Sequence, residues 1–202
     1  MRPLLLALLL ALGPALRATS VIPPSFPELV AEAETIVRGR VTSINARRVA
    51  RPDGQGSVIR TYVTLSVERV LKGSAPAEVT LDLLGGSLGQ ERLAVTGMPA
   101  FNLGTRELVF IQRNGVQFCP LVAMGHGRYR IQRDPGSARD VILRDNGLPL
   151  RDTSAVALPL QDLPAPLRAA QAAGTGGGLS LEAFEASIVA ELDRTGTRAV
   201  RD

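Results

Sequence analysis

Val58-Ile-Arg-Thr-Tyr-Val-Thr-Leu-Ser-Val-Glu-Arg-Val-Leu71 decides the fold class. Ile59, Thr61, Val63, Leu65, Val67 and Leu71 fall on one face at period two, and Arg60, Thr64, Ser66 and Glu68 fall on the other. Alternation over that length predicts a half-buried strand in an antiparallel sheet. Working outward, Arg51-Pro-Asp-Gly-Gln-Gly-Ser57 is a turn-rich loop, and a strand is expected before it over Ile36–Ile44. Lys72–Pro76 is the next turn, and Val79–Leu84 alternates again.

A glycine-rich connection, Gly85–Gly104, leads to the apolar strand Leu108–Arg113. Asn114-Gly115 signals a hairpin whose return strand is expected over Phe118–Met124, followed by a turn or bulge at Gly125-His126-Gly127. Arg128–Arg133 and Asp140–Arg144 flank Asp134-Pro135-Gly136 as a further hairpin. Short strands separated by turns predict a mainly β protein, a small antiparallel OB-like barrel.

Two helices flank this pattern. Ser25 is suited to cap a short helix over 26–34, with Pro27 and Glu28 in its first turn. Leu181, Phe184, Ile188 and Leu192 repeat at helical spacing behind Ser180. Between the strands and this amphipathic helix, prolines and glycines predict a linker over 149–179. The expected organisation is a leader over 1–20, a β-barrel domain over 21–148, the linker, and a helical segment over 180–202.

The leader reading rests on Arg2, the Leu/Ala run to Leu12, the breakers Gly13-Pro14, and the small residues Ala18-Thr19-Ser20. Together they resemble a cleavable signal peptide, with cleavage after Ala18 or after Ser20. The apolar run is shorter than the ~20 residues a membrane-spanning helix needs. No later segment is long and apolar enough to span, so a secreted or periplasmic protein is expected. Arg2 and Arg17 leave with the leader, taking the formal charge from +4 to about +2. The remaining cations alternate with acids, which gives nucleic-acid binding little support.

Candidate chemistry is sparse. Gly85-Gly-Ser87-Leu-Gly89 matches the nucleophile-elbow pattern, which needs a strand before it, a helix after it and a downstream acid and histidine. His126 is the single histidine, and Gly97 and Pro99 interrupt the chain after the motif. Cys119, the single cysteine, would sit about 23 Å from His126 on extended chain, too far for a dyad unless the chain folds back. Its apolar flanks favour a buried thiol, with a bridge to another chain as the alternative. Asp134, Asp140 and Asp145 lack the spacing of a calcium loop, and one His with one Cys cannot build the usual zinc sets. Glu68, Asp82 and Glu107 could meet in a barrel mouth as an acid–base pair, although acids on outer strand faces are common. No catalytic, cofactor-binding or metal-ligating residue is therefore assigned. The expectation is an exported, non-catalytic binding module for a protein or cell-envelope partner. Its binding loops are expected at Arg47–Ser57 and Gly85–Gly104. The alternatives are a barrel carrying a small apolar ligand and a serine hydrolase acting through Ser87.

Ala33-Glu-Thr-Ile-Val-Arg-Gly-Arg-Val41, Val70-Leu-Lys-Gly73, Gly97–Gly104, Leu108–Ile111 and Gly127-Arg-Tyr-Arg-Ile131 together resemble a group of uncharacterised exported bacterial proteins, over about residues 26–145. More distantly, Ile36–Val41 and Tyr62–Gly73 resemble the netrin-like modules, which include the tissue inhibitors of metalloproteinases. That likeness implies a five-stranded OB-type barrel with flanking helices. It carries no inhibitory function here, because those inhibitors chelate zinc through an N-terminal cysteine and this chain has none near Val21.

Overall fold

The computed structural model describes residues 21–51, 53–160, 166 and 177–196. The leader read over 1–20 and most of the linker's second half lie outside the described residues.

The alternating segment forms most of β2 (Ser57–Lys72). It pairs antiparallel with β1 (Thr35–Ala50) on one side and β3 (Glu78–Leu84) on the other. A small ribbon follows, β4 (Gly86–Leu88) with β5 (Glu91–Leu93). Then come β6 (Arg106–Ile111), β7 (Arg128–Arg133) and β8 (Asp140–Arg144). The main sheet has the order β3-β2-β1-β6-β7-β8, with every pairing antiparallel. The fold is mainly β, as the alternation predicts, and among the described residues the helices Phe26–Glu32 and Leu181–Thr195 flank the strands. β3 and β8 do not pair, so the sheet stays open.

At β6 both faces of the sheet are covered. Leu108 and Phe110 point into a core shared with α1 (Phe26–Glu32) and α2 (Leu181–Thr195). Val109 and Ile111 join the opposite core with Val37, Val63, Leu65 and Leu81. A strand buried on both sides reads as a continuous apolar run. On the helix side, Phe26, Phe110, Tyr129 and Phe184 stack with centroids 5.0–6.3 Å apart. α1 starts in a capping box: Ser25 Oγ accepts from Glu28 N at 3.4 Å, and Ser25 N donates to Glu28 at 2.8 Å. Lys72 closes its other end, donating to the carbonyls of Val30 and Ala31 at 2.8 and 2.9 Å. α2 is capped by Ser180, and its apolar stripe is docked on the sheet. Leu150 and Val156, from the stretch read as linker, are buried in the same core.

Three sequence expectations change. Leu71 leaves the face of Val63 and Leu65 and joins the helix-side core. The register shift between Arg38 and Gly39, where Glu68 is the extra residue of β2, is the cause, since one extra residue reverses the alternation. Phe118–Met124 is not a return strand. It touches β6 at one bridge, Ile111 with Leu121, and then turns away. Pro120 has no N–H to donate, and Ala123 and Met124 take left-handed backbone (φ 45° and 57°). The partner of β6 is instead β7. Finally, Gly85–Gly104 is not all loop, because it contains the β4–β5 ribbon.

Candidate functional site

A cavity of about 420 Å³ lies between the β1–β2–β3 sheet and the segment 85–101. Its floor is Ile44, Ala46, Val63 and Leu83 from the sheet, and its cover is Leu93, Val95, Met98 and Phe101. That volume falls in the range of about 300–1,000 Å³ usual for ligand pockets. Arg92 is the one charged side chain among the described lining residues.

The local sequence explains how the cover stays off the floor. At Gly86 (φ +124°) a Cβ would fall 2.1 Å from Thr61 Oγ1, so only glycine lets the ribbon turn this close to β2. Thr61 Oγ1 donates to the Gly85 carbonyl at 2.6 Å, and Gly85 N donates to Ile59 O at 2.8 Å. These bonds tie the start of the ribbon to β2. At the other end, Gly104 N donates to Val41 O and Val41 N donates to Thr105 O, both at 2.9 Å. The cover is thus anchored at both ends.

A buried charge cluster stands behind the cover. Arg128 donates to Glu107 at 2.9 Å and to Asp145 at 2.7 Å. Thr105 Oγ1 donates to the same Glu107 oxygen at 2.7 Å. Burial pushes the Glu107 carboxyl above its ordinary value, and Arg128 pulls it back. The second Glu107 oxygen and Arg128 Nε have no hydrogen-bond partner among the described residues. Arg128 also lies over the Phe101 ring, so the cluster backs one wall of the cavity.

The sequence candidates are dispersed. Ser87 lies exposed on β4, opposite Arg92 of β5, so the strand–helix geometry of an elbow is replaced by a β-ribbon. Cys119 is buried in the core beneath the sheet, where burial pushes its thiol up to about 11. His126 is buried in a 3-10 turn, Met124–Gly127, and its imidazole is held low by burial and then by Arg144. Glu68, Asp82 and Glu107 do not converge. Glu68 accepts from Arg38 and Arg106, Asp82 accepts from Arg60 at 2.5 Å, and Glu107 is held by Arg128. Asp134 receives Ser137, Asp140 receives Arg106, and Asp145 receives Arg128. No metal-ligating group of three occurs among the described residues.

Of the two expected binding loops, Gly85–Gly104 contributes the cavity cover, whereas Arg47–Ala50 belongs to β1. The lining residues Val95, Met98 and Phe101 were not singled out from sequence. Their signal was there: large apolar side chains in a Gly/Pro-rich connection need something to cover. Comparison of the chain with known protein families finds no match, and comparison with curated proteins finds none either.

Proposed function

We propose that the chain is an exported, non-catalytic binding module that engages its partner through the cavity under segment 85–101. The cavity carries this reading: its floor and cover are mostly apolar, it is open, and its cover is fastened at both ends. The leader features of Met1–Ser20 support export, and no helix among the described residues is long and apolar enough to cross a membrane. A partly open OB-type barrel is our reading of the sheet. The order β3-β2-β1-β6 about one long β1 supports it. A small apolar-ligand carrier is the second reading, favoured by the apolar floor of the same cavity.

A photoreactive residue at Val95 in cells exporting the protein tests the proposal. It should cross-link a defined partner, and the same residue at exposed Glu78 should not. Co-purification of a lipid in place of a cross-linked protein would favour the carrier. Turnover of peptidase or esterase substrates that Ser87→Ala abolishes would overturn the non-catalytic reading.

A further inference from the structure

At the two ends of the sheet order, the outer edges of β3 and β8 are sealed. On β3, the Asn114 side chain acts as a substitute strand, accepting from Asp82 N at 3.1 Å and donating to Thr80 O at 2.8 Å. Phe118 O takes Leu84 N at 2.7 Å. On β8, Leu179 O receives Ile142 N, Ile142 O receives Leu150 N, and Arg144 N reaches Leu148 O. Such covering is how proteins keep sheet edges from pairing with other chains.

One edge of β1 is open. β6 pairs with β1 only from Thr35 to Arg40, and Gly104 with Thr105 extends the contact to Val41. From Thr42 to Ala50, β1 is paired by β2 alone, and no backbone hydrogen bond is made on its other side among the described residues. This open edge also borders the cavity, since Ile44 and Ala46 form part of the floor. An extended segment added here would gain main-chain hydrogen bonds and could send an alternate side chain into the apolar space.

Charge selects the occupant. Three arginines around this edge have acids of their own: Arg48 with Glu91, Arg51 with Asp53 and Arg60 with Asp82. Arg92, in the cavity lining, and Arg47, stacked over Tyr62 on the opposite face of the ribbon, have no carboxylate partner among the described residues. The surplus is therefore cationic on both faces of the open edge. We propose that the Thr42–Ala50 edge of β1 docks an extended acidic segment of a partner protein by strand addition, with one apolar side chain of that segment in the cavity. This rests on the binding-module reading and adds the partner's conformation and charge.

Selection on the purified chain from a library of random peptides, each about nine residues long to match the open edge, provides the probe. Enriched peptides should alternate acidic residues with bulky apolar ones. Backbone N-methylation of the best labelled peptide should weaken its binding about tenfold or more, because edge hydrogen bonds are lost. Arg47→Glu with Arg92→Glu should weaken it by a similar factor while the melting temperature holds. Three results would overturn the inference: enrichment of basic or helical sequences, binding indifferent to N-methylation, or a chain dimer that occupies this edge and excludes peptide. If apolar probes still bind the cavity in those cases, the binding-module reading survives. If neither peptides nor apolar probes bind, both fail.

Discussion

The guanidinium carbon of Arg128 lies 4.5 Å from the centre of the Phe101 ring, so one buried cation supports the cavity wall while it neutralises Glu107. Arg128 is 3% exposed and Glu107 is fully buried. Removing the cation would strand a carboxylate that burial already disfavours. Arg128→Met should therefore cost about 3–5 kcal/mol in urea unfolding, and adding Glu107→Leu should recover much of the loss. A single variant within about 1 kcal/mol of wild type would contradict this role.

Docking of α2 rests on apolar contact more than on charge. Phe184 is fully buried in the aromatic cluster, and Phe184→Ala should cost about 3–5 kcal/mol. Glu185 receives Arg38 at 2.6 Å and Arg69 at 2.5 Å. Arg69 is half exposed, which screens its share, so Glu185→Gln should cost only about 1–2 kcal/mol. Equal losses in the two unfolding curves would refute that ranking.

His126 should make the fold acid-sensitive. Burial, then Arg144, holds its imidazole below the ordinary value, while Asp145 pulls the other way. The unfolded chain takes up the proton first. Its contribution to stability is thus present above about pH 6.5 and is lost as pH falls through the region beneath. Melting temperatures measured across that range should fall more steeply for wild type than for His126→Gln. Parallel slopes would show that the imidazole does not report burial.

Cys119 should resist thiol reagents in the folded state. Its thiol is 3% exposed and pushed up to about 11, so little thiolate exists at neutral pH. Labelling by a disulfide reagent should be slow until denaturant opens the core. Rapid labelling of native protein, or recovery of a chain linked to another through Cys119, would contradict this.

The strands were legible wherever one face was dry. Period two in β2 and the solid apolar run of β6 report one buried face and two, respectively. Ser25 and Ser180 announced their helices because caps are local chemistry. Leu71 misleads because the register shift between Arg38 and Gly39 depends on how β1 crosses β2. At Gly39, in β1, a Cβ would lie 2.6 Å from Ser66 O. Asn114-Gly115 does sit in a turn, but Pro120 and the backbone at Ala123, not the turn itself, set the path of the chain beyond it. The cavity was invisible for a different reason. Ile44, Leu83 and Phe101 are far apart in sequence, and no local period links them. The Arg128–Glu107 pair is likewise a long-range match between neighbouring strands.

Titration with 1-anilinonaphthalene-8-sulfonate, an anionic fluorophore whose aromatic rings brighten in apolar sites, tests the cavity most directly. Wild type should bind it at one saturable site. Ala46→Phe, which places a ring in the cavity floor, should abolish the signal without lowering the melting temperature, and Leu103→Ser, at an exposed position outside the lining, should leave it intact. No binding by wild type, or binding that Ala46→Phe does not disturb, would contradict the assignment of this cavity as the binding site.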